Sequence, residues 1–286
     1  MSFPALEQYL SRLHAVESTP SRVRLDANGR VQGRYFNTNL TTAFQAIRDL
    51  RSQSIAGYEG FARSYTENDQ GLFVWRLLEN AASDEESVEL DRLCRMLHAL
   101  NFFRQPAGAG KDLYLSVHGR LLTAVQGNHG MAFKRVLDAL DLPQERIVLQ
   151  LPVVSERQDW LLSHVAHNYR NNGFRVAINA ADAARALALV ERIRPEAVKV
   201  DVRDATECAL SLQLLSVCEA LGVRVIFKRI ENAQAFFQLR EFGQANGVSI
   251  AVQGFLWGLP HASLAGEGPP FAGAGSAVAL PRAEAA

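Results

Sequence analysis

Between residues 42 and 264 the chain repeats one pattern: a short apolar run, then an amphipathic helical stretch, then another apolar run. The runs are TAFQAIRDL, IAGYEGFAR, LYLSV, RIVLQL, FRVAI, AVKV, VRVIF and VSIAV. Several are unbroken Val/Ile/Leu strings, as strands covered on both faces are. The intervals supply good helices. DEESVELDRLCRMLHAL sets Leu90, Leu93, Leu97 and Leu100 on one face behind an acidic first turn. DWLLSHVAHNY sets Leu161, Val165 and Tyr169 and is stopped by Asn172-Gly173, and ECALSLQLLSVCEALG sets Leu210, Leu214, Val217 and Leu221 ahead of Gly222. Eight strands alternating with helices predict an α/β fold, a TIM-like (β/α)8 barrel. The link between the first two runs, RSQS, is too short for the crossover that parallel neighbours need. The first strand is therefore expected to be antiparallel to the second.

The flanks read differently. Phe3, Leu6, Leu10 and Leu13 repeat at helical spacing, and Asn28-Gly29 is a turn pair between short apolar stretches. Residues 1–41 are expected to form a small N-terminal helix-hairpin appendage, and 42–264 the barrel. Residues 265–286 are Gly, Ala and Pro without period, and a disordered tail is expected there. Of the 286 residues 48% are hydrophobic and 21% charged, enough for one large core. Lys+Arg and Asp+Glu number 30 each, and this balance argues against a nucleic-acid partner held by phosphate contacts. A small anionic ligand is still compatible with it. Cys94, Cys208 and Cys218 show no paired spacing and read as reduced core residues of a cytoplasmic protein. No apolar run has membrane-spanning length, and MSFPALEQYLSRLH lacks the basic and apolar regions of a signal peptide.

Barrels of this kind keep their reactive groups at the C-terminal ends of the strands. Those ends carry Glu59, Ser116, Gln150, Asn179, Lys199 with Asp201, Lys228 with Glu231, and Gln253. The segments around them resemble the EAL-domain family of cyclic di-GMP phosphodiesterases. FQAIRDLRSQSIAGYEGFAR is similar to the family's FQPIVDLxxGxIxGYEALxR, and LYLSVHGRLL to LFINVSPRLL. RIVLQLPV is similar to IVLELTE, and GFRVAINAADAARALALVERIRPEAVKVD to GVxIALDDFGTGYSSLxxLxxLxPDxLKID. VIFKRIENAQAF is similar to VIAEGVETxxQ, and VQGFLWGLP to AQGYLFSxP. The six motifs run in order from Gln45 to Pro260.

The resemblance implies a barrel with an antiparallel first strand. It also implies metal-dependent hydrolysis of cyclic di-GMP to the linear dinucleotide. In the family two Mg²⁺ or Mn²⁺ ions activate the attacking water, held by the Glu of E-A-L, an Asn, a Glu and two Asp. Carried over, Glu59 is retained, but Ser116 stands for the Asn, Gln150 for the Glu, and Asn179 and Ala180 for the Asp pair. Lys228 replaces the first Glu of AEGVE, whereas Lys199, Asp201, Glu231 and Gln253 are kept. Magnesium requires oxygen ligands, carboxylates above all, and a metal pair about 3.5–4 Å apart needs several of them. Here one carboxylate of that set survives beside a new ammonium. Unit charges 4 Å apart interact by about 4 kcal/mol at an effective dielectric of 20, and a dication roughly doubles that repulsion. No catalytic residue, metal or cofactor is expected.

Two further expectations concern the altered positions. Lys228 is expected to replace the metal by pairing with Glu59, and with Asp201; the bland alternative is a lysine extended to solvent. Asp182, in a loop one residue shorter than the family's, is the one candidate for a replacement ligand. The residues that would bind cyclic di-GMP without metal are Gln45, Glu59, Arg63, Asp201, Glu231, Gln253 and Phe255. Arg63 reads equally as a phosphate contact or a rim ion pair, while Trp257, His118, His164 and His167 read as structural or surface residues. Three functions compete. One is a non-catalytic signalling protein that still binds cyclic di-GMP, and another is an interaction module for a protein partner. The last is a working phosphodiesterase with rearranged ligands. Neither a nucleic acid nor a membrane is expected as a partner; a homodimer is a family habit.

Overall fold

The computed structural model describes residues 3–15, 22–36, 38–52, 54–66, 69–70, 83–124, 130–201 and 208–264. The tail expected at 265–286 and the side chain of Cys208 lie outside them. Cys94 and Cys218 are buried free thiols. Helix α1 (Pro4–Ala15) leads into strands β1 (Val23–Leu25) and β2 (Val31–Tyr35), an antiparallel hairpin. Its turn is tied by the Asp26 carboxylate, which accepts from the backbone N–H of Asn28 and Arg30 at 2.8 Å each, with Gly29 at φ +68°.

The hairpin runs on into the barrel. Strand β2 pairs antiparallel with β3 (Thr38–Asp49), which pairs antiparallel with β4 (Ile55–Thr66). The β3–β4 link closes tightly because Asp49 Oδ1 accepts from the Ser52 N–H at 2.7 Å and the Ser52 hydroxyl at 2.8 Å. After the short β5 (Asp69–Gln70) and helix α2 (Asp84–Phe103) come β6 (Asp112–Ser116), α3 (Gly119–Ala124), α4 (Met131–Ala139) and β7 (Ile147–Leu151). Next follow α5 (Asp159–Asn171), β8 (Arg175–Asn179), α6 (Ala183–Ile193), β9 (Ala197–Asp201), α7 (Cys208–Leu221), β10 (Arg224–Lys228), α8 (Ala233–Asn246) and β11 (Ala251–Val252). The expected strand and helix runs fall on these elements.

Strands β4, β6, β7, β8, β9, β10 and β11 follow one another in parallel around the sheet, and β3 closes the circle between β4 and β11. It is antiparallel to both neighbours, as the short link requires. Helices cover the outer surface, and the main apolar core lies between them and the strands. A second apolar cluster fills the barrel interior: Ile47, Tyr114, Val148, Ala177, Ala197, Ile226 and Ala251, each at most 2% exposed. Gly57 belongs to the same inner face, where a Cβ would lie 3.0 Å from the Tyr114 ring. Among the described residues no helix is long and apolar enough to cross a membrane.

Candidate functional site

Side chains alternate along a strand, so the residues two steps beyond the interior apolar layer face the same way. Ile47 leads to Gln45 on the antiparallel β3, and Gly57 to Glu59. Tyr114 leads to Ser116, Val148 to Gln150, Ala177 to Asn179, Ala197 to Lys199, Ile226 to Lys228 and Ala251 to Gln253. A polar layer thus sits on an apolar plug at the C-terminal ends of the parallel strands. Above it opens a cavity of about 530 Å³ lined by Gln45, Glu59, Arg63, Ser116, Asn179, Lys199, Lys228, Glu231, Gln253 and Phe255, among others. Gln150 is fully buried beneath it.

Glu59 is the centre of the floor. Its Oε1 accepts from Gln150 Nε2 at 2.8 Å and Ser116 Oγ at 3.2 Å. Its Oε2 accepts from Lys199 Nζ at 2.7 Å and Gln253 Nε2 at 2.8 Å. Burial alone would raise the carboxyl's pKa, but the Lys199 ammonium and the amide donors outweigh it and hold the value below the usual carboxylate range. The Gln150 amide orientation follows from the same chemistry, since its N–H groups must face the carboxylate. Its Oε1 is then left buried without a hydrogen-bond partner in the protein.

The expected pairing of Lys228 with Glu59 is not what the structure shows. Lys199, 2% exposed, makes that ion pair. Register explains the choice. Lys228 is the ladder partner of Asp201, one inward position beyond Lys199 on β9, and so lies a layer above the floor. Nor does Asp201 take Lys228, because its Oδ2 pairs with Arg229 Nη1 at 3.1 Å. The Lys228 ammonium reaches Asn179 Oδ1 at 3.5 Å, and no carboxylate among the described residues lies within 4 Å of it. Burial, then the nearby Lys199 and Arg229 cations, lower its pKa, with Glu59 and Asp201 pulling the other way.

Arg229 occupies the glycine position of the AEGVE pattern and keeps a left-handed backbone, φ +64°. The replacement ligand considered above is not there either. Asp182 caps α6, accepting from the Arg185 N–H at 2.8 Å. Ala180 is buried and its N–H donates to the Lys199 carbonyl at 3.0 Å. Gln45 Nε2 donates to the Gly258 carbonyl at 3.3 Å. Phe255 stands 44% exposed at the rim, whereas Trp257 packs edge-on to Phe236. His164 and His167 are exposed, each bonded to an asparagine one helical turn on. His118 Nδ1 accepts from the Arg120 N–H at 3.4 Å.

These residues do not fit a pair of divalent ions. All four donors on Glu59 point at the lone pairs a metal would use, Asp201 is held by an arginine, and the remaining positions offer amide, hydroxyl and ammonium. What the floor can do chemically is hold a carboxylate charged and present cations and amides to the cavity.

A family model described as EAL domain matches residues 30–260. No match is found among the curated proteins. Among solved structures, the chain is similar to a standalone versatile EAL protein from Vibrio cholerae O395 in its c-di-GMP bound form. The identity is 19% and the TM-score 0.61, over 81% of this chain and 96% of that one. Klebsiella pneumoniae BlrP1 in a manganese and cyclic di-GMP complex aligns at 22% identity and TM-score 0.64, over 78% of this chain and 56% of that one. The Bacillus subtilis YkuI protein, with an EAL domain and in complex with substrate c-di-GMP and calcium, aligns at 18% and 0.64, over 79% and 57%. The chain spans little more than half the length of the last two. At these identities the structural likeness is one of fold.

Proposed function

The chain belongs to the EAL domain family, and from that premise we propose that it is a member that binds rather than hydrolyses. Its cleft takes cyclic di-GMP without metal, and the complex signals by docking a protein partner in the cytoplasm. The observation that carries this reading is the state of Glu59, whose two oxygens are filled by four donors from four different strands or strand ends. A ligand carboxylate in that condition has no affinity to spare for a dication, and the fixed ammonium of Lys199 repels one. Arg63, Gln45 and Gln253 offer polar contacts to phosphate and base, with Glu231 among the lining residues, while Asp201 is buried and acts through its ion pair with Arg229. Phe255, exposed at the rim, offers a face on which a guanine can stack.

The interaction-module reading is favoured by a separate observation. Val153, 51% exposed, stands in the β7–α5 connection and Trp160, 63% exposed, in the first turn of α5, so each turns an apolar side chain largely to solvent. A homodimer is a further part of this proposal. The rearranged phosphodiesterase is disfavoured because Asp182, which would have to supply the missing ligand, is fixed as a helix cap. Titration with cyclic di-GMP, with and without Mg²⁺, separates the readings, together with chromatography for the linear dinucleotide. Metal-independent binding without turnover is expected. Turnover overturns the proposal, and absence of binding leaves only the docking role.

A further inference from the structure

We propose that Lys228 is the principal anion contact of the cleft, an ammonium that grips a ligand phosphodiester directly where the family would use divalent ions, so that Mg²⁺ weakens binding instead of supporting it. The inference rests on the reading that the cleft takes a cyclic dinucleotide without metal. Lys199 neutralises Glu59 at 2.7 Å and Arg229 neutralises Asp201 at 3.1 Å. Both carboxylates within reach of the floor are thereby spent. Lys228 and Arg63 line the same cavity with no ion pair among the described residues, and Glu231, exposed at the mouth, makes none within 4 Å of a described cation.

Lys228 is half-buried, and its one hydrogen bond among the described residues is to a neutral amide oxygen at 3.5 Å, the outer limit of a hydrogen bond. An ammonium has three donors to place. Two find no hydrogen-bond partner among the described residues, and of its charged neighbours Lys199 and Arg229 repel the ammonium more than Glu59 and Asp201, each already paired, attract it. A cation desolvated without a counter-ion is unfavourable, and an anion entering the cavity relieves that cost. The same residue disfavours the Mg²⁺ complex of the ligand, because a metal on the phosphate oxygens would face the ammonium. A phosphodiester is the anion favoured over a carboxylate because the site pairs the cations with an exposed aromatic, Phe255, suited to a base.

The test is calorimetric titration of the intact 286-residue chain and of its Lys228→Ala, Lys228→Gln and Lys228→Arg variants. The probes are cyclic di-GMP and inorganic pyrophosphate, each in EDTA and in millimolar Mg²⁺. Lys228 sits at a strand end with an open side chain, so unchanged thermal melting of the variants serves as the folding control. Expected is a loss of affinity of about ten- to a hundredfold in Lys228→Ala and Lys228→Gln, the range of a charge-assisted hydrogen bond. Lys228→Arg should keep most of it, the salt dependence should flatten without the charge, and Mg²⁺ should weaken wild-type binding. If wild type binds cyclic di-GMP and Lys228→Ala binds it equally, or if Mg²⁺ tightens the complex, the inference is overturned while metal-free binding in EDTA still supports the proposed function. If pyrophosphate binds in a Lys228-dependent way but cyclic di-GMP does not, the anion site stands and the ligand reading falls. If neither probe binds, both fall.

Discussion

Glu59 keeps its charge in a place that would otherwise neutralise it, chiefly through Lys199 and with help from the Gln253 and Gln150 amides. Lys199 is itself almost wholly buried, so each member of the pair is the other's solvent. Removing one partner of such a pair is far worse than removing both. Lys199→Met is expected to destabilise the fold by about 3–5 kcal/mol, and the double variant Glu59→Gln/Lys199→Met by clearly less, measured by urea unfolding. A double variant as unstable as the single one would contradict the ion-pair account. Two buried groups near the barrel floor contribute to the acid side of the stability profile, alongside the hydrogen-bonded carboxylates Asp26, Asp49 and Asp159. His98, buried on α2, has its imidazole pushed down to about 3 by burial, with the Glu59 carboxylate opposing and Arg95 assisting. Its Nδ1 lies 2.8 Å from Thr42 Oγ1. Below the ordinary histidine value of about 6.5 the unfolded chain takes up a proton that the folded one refuses. Stability therefore falls with pH between about 6.5 and about 3, by up to about 1.4 kcal/mol per unit. Glu59 adds to the loss at the lower end. Its depressed value contributes stability above the unfolded carboxyl value of about 4.3, lost as pH falls through the folded one. Unfolding midpoints at a series of pH values should show this decline, and His98→Asn should flatten its upper part.

The loop elements at the mouth are set by backbone contact more than by side chains. Gly254 follows Gln253 directly, and a Cβ there would fall 2.1 Å from the Ile230 carbonyl oxygen and 2.3 Å from the Ile230 nitrogen. The approach is close because the two loops bond to each other: Ile230 N–H donates to Gln253 O at 3.1 Å, and Leu256 N–H donates to Ile230 O at 3.0 Å. Gly254→Ala must push these loops apart. A destabilisation of about 1–3 kcal/mol is expected, the range of overpacking, together with loss of ligand affinity as Gln253 and Phe255 shift. Wild-type melting and affinity in that variant would show that the contact yields easily. Arg229 stores strain of a different kind, a β-carbon in the left-handed region, offset by an ion pair that is 60% exposed on the arginine side and so worth little. Arg229→Gly is expected to leave stability within about 1 kcal/mol of wild type.

At the scale of the molecule, the barrel closes through one strand that runs against both its neighbours, and that strand is anchored from outside. Asn101 on α2 clamps β2 by accepting from the Val31 N–H at 2.9 Å and donating to the Val31 carbonyl at 2.8 Å. Gly33 lies against Leu93 and Leu97, too close for a Cβ. Deleting residues 1–36 is expected to uncover this face of α2 and the outer edge of β3, lowering the melting temperature and promoting aggregation. A truncated chain that melts like the intact one would make the hairpin dispensable. Ligand linkage works at the same scale. Manganese should leave the melting temperature unmoved, because a ligand stabilises only the state it binds.

The strand–helix alternation, the short RSQS link and the turn at Asn28-Gly29 were enough to specify a barrel with an antiparallel first strand, because periodicity and loop length are properties of local chain. The inward polar positions were legible too, since a step of two from an inward position of the plug lands on a polar residue in every strand, although Gln150 and Asp201 are buried outside the cavity lining. Asp182 ahead of AARALALV carried a helix-cap signal that could have been read. Which lysine neutralises Glu59 was not written locally. Lys199 and Lys228 both end inward-facing strand positions, and only the stagger of β9 against β10 sets one on the floor and the other a layer above it. Charge pairing acts over a few ångströms between residues more than a hundred positions apart, so it was decided by the closed barrel and not by the chain.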